Sequence, residues 1–513
     1  MRAAIALLTL FFAGPALAQT VVTSSAPESV AVTVYRDPDR GDGGIDANRP
    51  SGFALVTEKR RITLPAGDAT IRFEGVMDGM IAVSAVVTGL PGGVIQKNRD
   101  AQLLSPAALL DGTLGNRVHL RRTNRATATV REQDAVIRSG PDNAVVLQTA
   151  EGFEGLRCSG LPEGLSYDAI PSGLSAKPTL SVTTSSPQGV TADVTLTYLA
   201  TGFDWAANYV VRVAPDGRTL DLFAWLTVAN GNSISLPDAQ LLAVAGRLNR
   251  ESDYDAIDGQ PHSAYLSLRC WPLPRYDLTP DGGYPPPSPP PPAAPAPIMM
   301  RAEAMEDVVV TGSRIARQED LGDLKLYRVP MQVDVNANGQ KQVALLQRAT
   351  VPFTLFYAAD ILAEDEDDTP RPLKRMIRMQ NETKGGLGLP LPSGGVAIFA
   401  PTHAGESLLL ADSRLRDHAI GETVKLDAGE SSQHFLTFGR APESTDDRPV
   451  RQLTLSNAAD RAVSVEIRIR ADDEDQLISK STKLSRKDGA WLWSTSVPAN
   501  GTARLRYTIA SER

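Results

Sequence analysis

The sequence predicts an all-β protein: several β-sandwich or immunoglobulin-like modules, a small β-barrel, one short helix and a proline-rich linker. Three observations predict it. Apolar residues recur at every second position over much of the chain, as in VAVTVYR, TADVTLTYL and TLDLFAWLTVAN, and period two marks strands with one buried face. Glycine (41) and proline (37) are frequent while aromatics make up 5%, which suits short strands joined by tight turns. Hydrophobic residues reach 42% of 513, enough for packed cores, and the length calls for more than one domain.

Residues 1–18 read as an export signal rather than as fold. Arg2 supplies the positive end, AAIALLTLFFAG is a short apolar stretch, and Ala16-Leu17-Ala18 is a cleavage pattern before Gln19. The apolar stretch is too short to cross a bilayer, and no later stretch approaches the ~20 apolar residues a membrane helix needs. The expected location is the periplasm or the exterior, with no membrane span. A net charge of −8 argues against a nucleic-acid partner, which would require excess Lys and Arg. Export makes the two cysteines, Cys158 and Cys270, a disulfide candidate. Closing that loop of roughly a hundred residues would stabilise by about 4–5 kcal/mol in the chain-entropy account. The alternative is a pair of unbridged buried thiols.

The N-terminal β-domain is expected over 21–104. VAVTVYR, GFALVTEKRRITL and ATIRFEGV are its strands, with Pro65-Ala66-Gly67-Asp68 as a turn. Between them RDPDRGDGGIDANRP reads as a solvated loop, because its aspartates lack the spacing and closing Glu of a calcium loop. Ser105-Pro106 opens a short helix, PAALLDGTL, with proline at its first position. Short strands follow it (NRVHLRRT, ATATVRE, DAVIRS, AVVLQT, EGLRC), and over 105–160 they suggest a small closed barrel. Clean alternation over 175–280 predicts a β-sandwich in which Trp205, Tyr209, Phe223 and Trp225 are core aromatics. YPPPSPPPPAAPAP lies in a linker over 281–306 and would extend roughly 40 Å as polyproline. A β-domain continues over 307–440, and an immunoglobulin-like module over 441–513 closes the chain.

Motifs for chemistry are absent. His119, His262, His403, His418 and His434 never fall at metal-ligand spacing, and neither a nucleophile elbow nor a phosphate-binding loop is present. No catalytic residue, metal or cofactor is assigned. A carboxylate pair for hydrolysis is spatial and leaves no sequence motif.

YLATGFDWAANYVVRV, followed by LDLFAWLTVANGNSISLPDAQLLAVAG, resembles the bacterial domain of unknown function 4139 family, which includes homologues of the mucoidy-inhibitor-A protein. NETKGGLGLPLPSGGVAIF and VPANGTARLRYTI fit the same pattern, and the N-terminal stretch resembles the companion β-domain that usually precedes it. The coiled-coil insertion of many relatives is missing, replaced by 105–160. The resemblance implies an all-β envelope protein without an established activity, and it carries no catalytic residues to transfer.

EDVVVTGSRIARQ, from Glu306 to Gln318, resembles the start of the plug in TonB-dependent receptors. It offers Val308, Val309, Val310, Thr311, Gly312, Ser313, Arg314 and Ile315 as a partner-binding strand on a tether, which strand addition to an envelope protein such as a TonB-like one requires. The alternative is an ordinary strand of the following domain. The receptor barrel itself is not indicated, since its strand pattern and aromatic girdles are missing. The expectation from sequence is an exported cell-envelope binding or scaffold protein of unknown ligand, non-catalytic. The alternative is a hydrolase acting on envelope polysaccharide or peptide.

Overall fold

The computed structural model describes residues 20–40, 44–46, 49–100, 104–123, 127–139, 145–155, 163–171, 174–246, 314–322, 324–402, 404–445, 450–471, 475–478 and 482–511. The export signal, Cys158, Cys270, the linker 281–306 and the strand candidate Val308 to Ser313 lie outside the described residues. Among the described residues no helix is long and apolar enough to cross a membrane.

The alternating stretches become strands, and the described strands assemble into five sheets. A seven-stranded sheet runs in the order Arg317–Leu321, Leu324–Val335, Leu236–Ala245, Ser29–Tyr35, Phe53–Leu64, Val190–Thr201, Val86–Thr88. A four-stranded sheet places Gly67–Glu74 between Thr20–Ser24 and Thr179–Ser186, with Gln96–Asp100 at its edge. A five-stranded sheet runs Gly339–Pro352, Thr219–Asn230, Phe203–Val213, Gly394–Pro401, Ser407–Leu415. These three share one core, which includes Val34, Val56, Ile71, Phe73, Trp205 and Leu226. The fold is all-β and built from several sheet modules, as its alternation predicts.

Nine strands between Thr354–Leu362 and Gly501–Ser511 form a further sheet, curled into a half-barrel. It has its own core, which includes Leu455, Ile467, Trp493 and Tyr507. Two of its long strands also reach into the first core. Asp367–Gln380 gives Leu373 to the curled sheet's core and Ile377 and Met379 to the other. Thr423–Arg440 likewise divides Val424 and Leu426 from Leu436 and Phe438. A continuous hydrogen-bonded strand cannot bend freely, so these two strands splice the halves together.

Several sequence expectations change. The stretches 21–104, 175–280 and 307–440 all contribute strands to the seven-stranded sheet, so they are layers of one unit rather than successive domains. The 441–513 stretch shares its sheet with 354–440 and is not a separate immunoglobulin-like sandwich. The chain does turn after Leu64, but Phe53–Leu64 and Gly67–Glu74 belong to different sheets, and Gly67, at φ +89°, takes the chain from one to the other.

The small module also differs in detail. Its helix, Pro106–Gly112, begins as expected: the Ser105 Oγ accepts a 3.0 Å bond from the Ala108 N–H, with Pro106 in the first turn. Its strands form an open sheet in the order Gly152–Gly155, Val146–Thr149, Val130–Ile137, Arg117–Thr123, Glu163–Ser166, and the two end strands are not paired with each other. The helix makes barrel closure unnecessary, because Leu110 packs on Val118, Leu120, Ile137 and Leu147 and covers the apolar face.

The four aromatics expected in one core split between two faces. Trp205 and Tyr209 are buried at 0% and 2% exposure, whereas Phe223 and Trp225 are half-buried and pack edge to face at 4.7 Å. Period two decides this: Leu222, Ala224 and Leu226 take the inward positions of their strand, and Phe223 and Trp225 take the other face.

Candidate functional site

Two openings stand out. The smaller, about 460 Å³, lies near the ends of the seven- and four-stranded sheets and is lined by Glu28, Glu58, Glu74, Lys177, Asp238 and Gln332, among others. On Phe53–Leu64 the inward row is Ala54, Val56, Glu58, Arg60, Ile62 and Leu64, so strand periodicity drives an ion pair into the core. Both Glu58 and Arg60 are 1% exposed. The Arg60 Nε and Nη2 donate to Glu58 Oε2 at 2.8 and 2.6 Å. The same guanidinium donates to the Ser24 and Glu74 carbonyls at 2.8 and 2.9 Å and lies 5.7 Å from the Phe73 ring centre. The Tyr198 hydroxyl donates to Glu58 Oε1 at 2.7 Å and accepts from the Met77 N–H at 3.2 Å. Burial first, and then the Glu58 charge, push the Tyr198 phenol well above its ordinary range. This network locks two sheets together, and it spends Glu58 on structure.

A second, partly buried ionic cluster sits where the aspartate-rich loop was expected to be solvated. Arg40 pairs with buried Asp204 and donates to the Trp205 carbonyl at 3.0 Å. Arg36 donates to both Asp417 oxygens at 3.0 and 2.9 Å and lies 5.1 Å from the Trp205 ring centre. Of the loop's aspartates, Asp37 accepts from Ser51 Oγ and the Asp39 N–H. The loop is therefore tied down by its arginines, a role the sequence pattern concealed because both arginines sit in a polar run.

The larger opening, about 880 Å³, is a polar groove at the seam of the two cores. Its walls come from several segments of the chain, and Val213 and Pro401 are among the lining residues. The hairpin turn Asp216-Gly217-Arg218 forms one rim, with Gly217 at φ +64° as the turn requires. Phe353 and Leu355 flank the start of Thr354–Leu362, which also supplies Tyr357. Arg375 and Ile377 come from Asp367–Gln380, Leu410 from Ser407–Leu415, and Gln433 from Thr423–Arg440. Arg461 and Ser464 sit where Val463–Arg470 begins. Leu410 is the extra residue of a bulge, for Ile398 and Phe399 pair with Ala411 and Leu409 and pass it over.

His434 stands behind this groove. Its ring stacks on Tyr357 at 3.9 Å, and its Nδ1 is 2.7 Å from Ser431 Oγ. Burial pushes the imidazole below its ordinary range, and the charges of Arg375 and Arg461 act in the same direction. The folded protein thus resists a proton that the unfolded chain takes up near pH ~6.5. Stability from this source is present above that pH and is lost as pH falls through the folded-state value. The midpoint of thermal unfolding is expected to drop between neutrality and mild acid less steeply in His434→Gln than in the parent. Equal slopes would remove His434 from the account.

Among the described residues no group of three or more His, Cys, Asp or Glu side chains is placed to hold a metal ion. Of the strand candidate, Arg314 is exposed and Ile315 half-buried. Just beyond them, Arg317–Leu321 pairs with Leu324–Val335 at the edge of the seven-stranded sheet, and the Ala316 N–H donates to the Ala344 carbonyl at 3.0 Å. The C-terminal end of the EDVVVTGSRIARQ stretch is therefore already part of this protein's own sheet. Neither groove was legible in the sequence. The inward-facing Glu58 and Arg60 carried the one available signal, two charges falling on the apolar phase of an alternating strand. No protein-family model and no curated protein matches the chain.

Proposed function

We propose that the chain is an exported cell-envelope protein that binds a ligand in the seam groove and acts as a binding or scaffold module. The observation that carries this reading is the groove itself: about 880 Å³, walled by side chains from both cores, with Asp216 its one carboxylate among the described residues. Openings of that size suit small organic ligands. A two-carboxylate hydrolytic mechanism has no second acid within this lining. The export pattern of residues 1–18 and the resemblance to an envelope family support the location. An oxidised Cys158–Cys270 pair belongs to the same reading, and alkylation mass spectrometry of the unreduced chain should find both thiols blocked.

The rival, a hydrolase acting on envelope polysaccharide or peptide, draws on the smaller opening, where Glu28, Glu74 and Asp238 accompany Glu58. The two readings separate in one pair of measurements. Immobilised protein should retain an envelope component that Ala462→Trp, a steric plug on the groove wall, no longer retains. Incubation with envelope polysaccharide and peptidoglycan should release no soluble product. Product release that stops in Glu74→Gln or Asp238→Asn would overturn the binding reading in favour of the hydrolase.

A further inference from the structure

We propose that the seam groove recognises a phosphate group carried on a larger organic body, an inference that rests on the groove being a binding site. Arg218, Arg375 and Arg461 line it from three separate segments. Among the described residues none of the three forms an ion pair with a carboxylate. Arginines close by on the same sheet are matched: Arg378 meets Glu466 at 2.7 Å and Arg371 meets Asp367 at 2.9 Å. The one acid of the groove is occupied by its own turn. Asp216 accepts from the Arg218 N–H at 2.8 Å and from the Thr219 N–H and Oγ1 at 3.0 and 2.9 Å. Those bonds hold its carboxyl below the usual range, so it stays ionised and turned inward to the hairpin.

Three guanidiniums against one carboxylate leave an excess of two positive charges in the lining. Like charges gathered without a counter-charge repel, and a bound anion relieves them. Guanidinium forks match phosphate and carboxylate oxygens, in pairs of parallel bonds. A lone carboxylate brings one charge and two oxygens. A phosphate monoester brings close to two charges and three free oxygens, which fits both the excess and the number of forks. A second observation points the same way. Tyr357 is 4% exposed and lines the groove, yet its hydroxyl has no hydrogen-bond partner among the described residues. A phenol hydroxyl that lines the groove without a protein partner can donate to a ligand oxygen. The volume far exceeds a phosphate ion, and Phe353, Leu355, Ile377 and Leu410 line the remainder with apolar surface. The phosphate therefore belongs to an organic molecule, either free or as the headgroup of a membrane lipid.

The test titrates the full chain with glycerol phosphate by calorimetry. In parallel, it is sedimented with vesicles of phosphatidylcholine alone or mixed with phosphatidic acid, whose headgroup is a phosphate monoester. Saturable binding of glycerol phosphate identifies a free ligand, and binding only to the phosphatidic acid vesicles identifies a headgroup. In either arm Arg375→Gln and Arg461→Gln should each weaken binding at least about tenfold, the value of one lost charge-assisted hydrogen bond, with the unfolding midpoint unchanged. Arg504→Gln, an exposed arginine outside the groove, should leave binding as it was. No binding in either arm, or an equal loss in the Arg504 variant, overturns the inference. Retention of an envelope component that is lost in Ala462→Trp but kept in both groove-arginine variants would also overturn it, while leaving the binding function standing.

Discussion

Trp205→Ala is expected to destabilise the protein by about 3–5 kcal/mol, the cost of removing a large side chain from a core that cannot collapse around the space. Trp205 is fully buried, donates from Nε1 to the Val244 carbonyl at 2.9 Å, and packs at 5.9 Å on Tyr327. Arg36 lies over its other surroundings, 5.1 Å from the ring centre, so truncation also removes a cation–π contact from a guanidinium that is already poorly solvated. Trp225→Ala should cost only about 1 kcal/mol, since that ring is half-buried and packs edge to face on Phe223. Urea unfolding followed by circular dichroism compares the two. If Trp225→Ala proves as costly as Trp205→Ala, the assignment of the two rings to opposite faces is wrong.

Arg60→Met is expected to cost a similar amount, about 3–5 kcal/mol, by leaving the Glu58 carboxylate buried without its counter-charge. The lost bonds to the Ser24 and Glu74 carbonyls add to this, because both groups sit at the junction of two sheets. A second substitution separates the orphaned charge from the lost packing. Glu58→Gln in the Arg60→Met background removes the charge and keeps an oxygen for the Tyr198 hydroxyl. The double variant should therefore recover much of the loss, although it has one more change than the single. A double variant less stable than Arg60→Met would mean that the charge was not the source of the cost.

These two expectations show how far local pattern reaches. Alternation alone places Glu58 and Arg60 inward, since they fall in phase with Val56 and Ile62. It also separates Phe223 and Trp225 from Leu222, Ala224 and Leu226, although aromatic character argued for a common core. Where periodicity and residue type disagreed, periodicity was the better guide, because the pleat fixes direction while hydrophobicity fixes only preference. The Ser105 cap was legible for a similar reason: its bonds join residues three apart in sequence.

The sequence by itself determined that this is an all-β chain, where its short helix starts, and which side of each alternating strand is apolar. These depend on neighbours along the chain. The acidic run 364–372, which reads as a solvated loop, instead opens the strand Asp367–Gln380. Tertiary structure alone decided which strands lie side by side. Ser29–Tyr35 pairs in parallel with Leu236–Ala245, Phe203–Val213 with Gly394–Pro401, and Thr354–Leu362 with Val463–Arg470. Parallel neighbours require long crossovers, and an alternating strand carries no mark of which distant partner it will meet. The same choice of partners brings Arg218, Arg375 and Arg461 to one groove. Each is an ordinary polar residue in its own segment. They meet because segments from both cores come together at the seam.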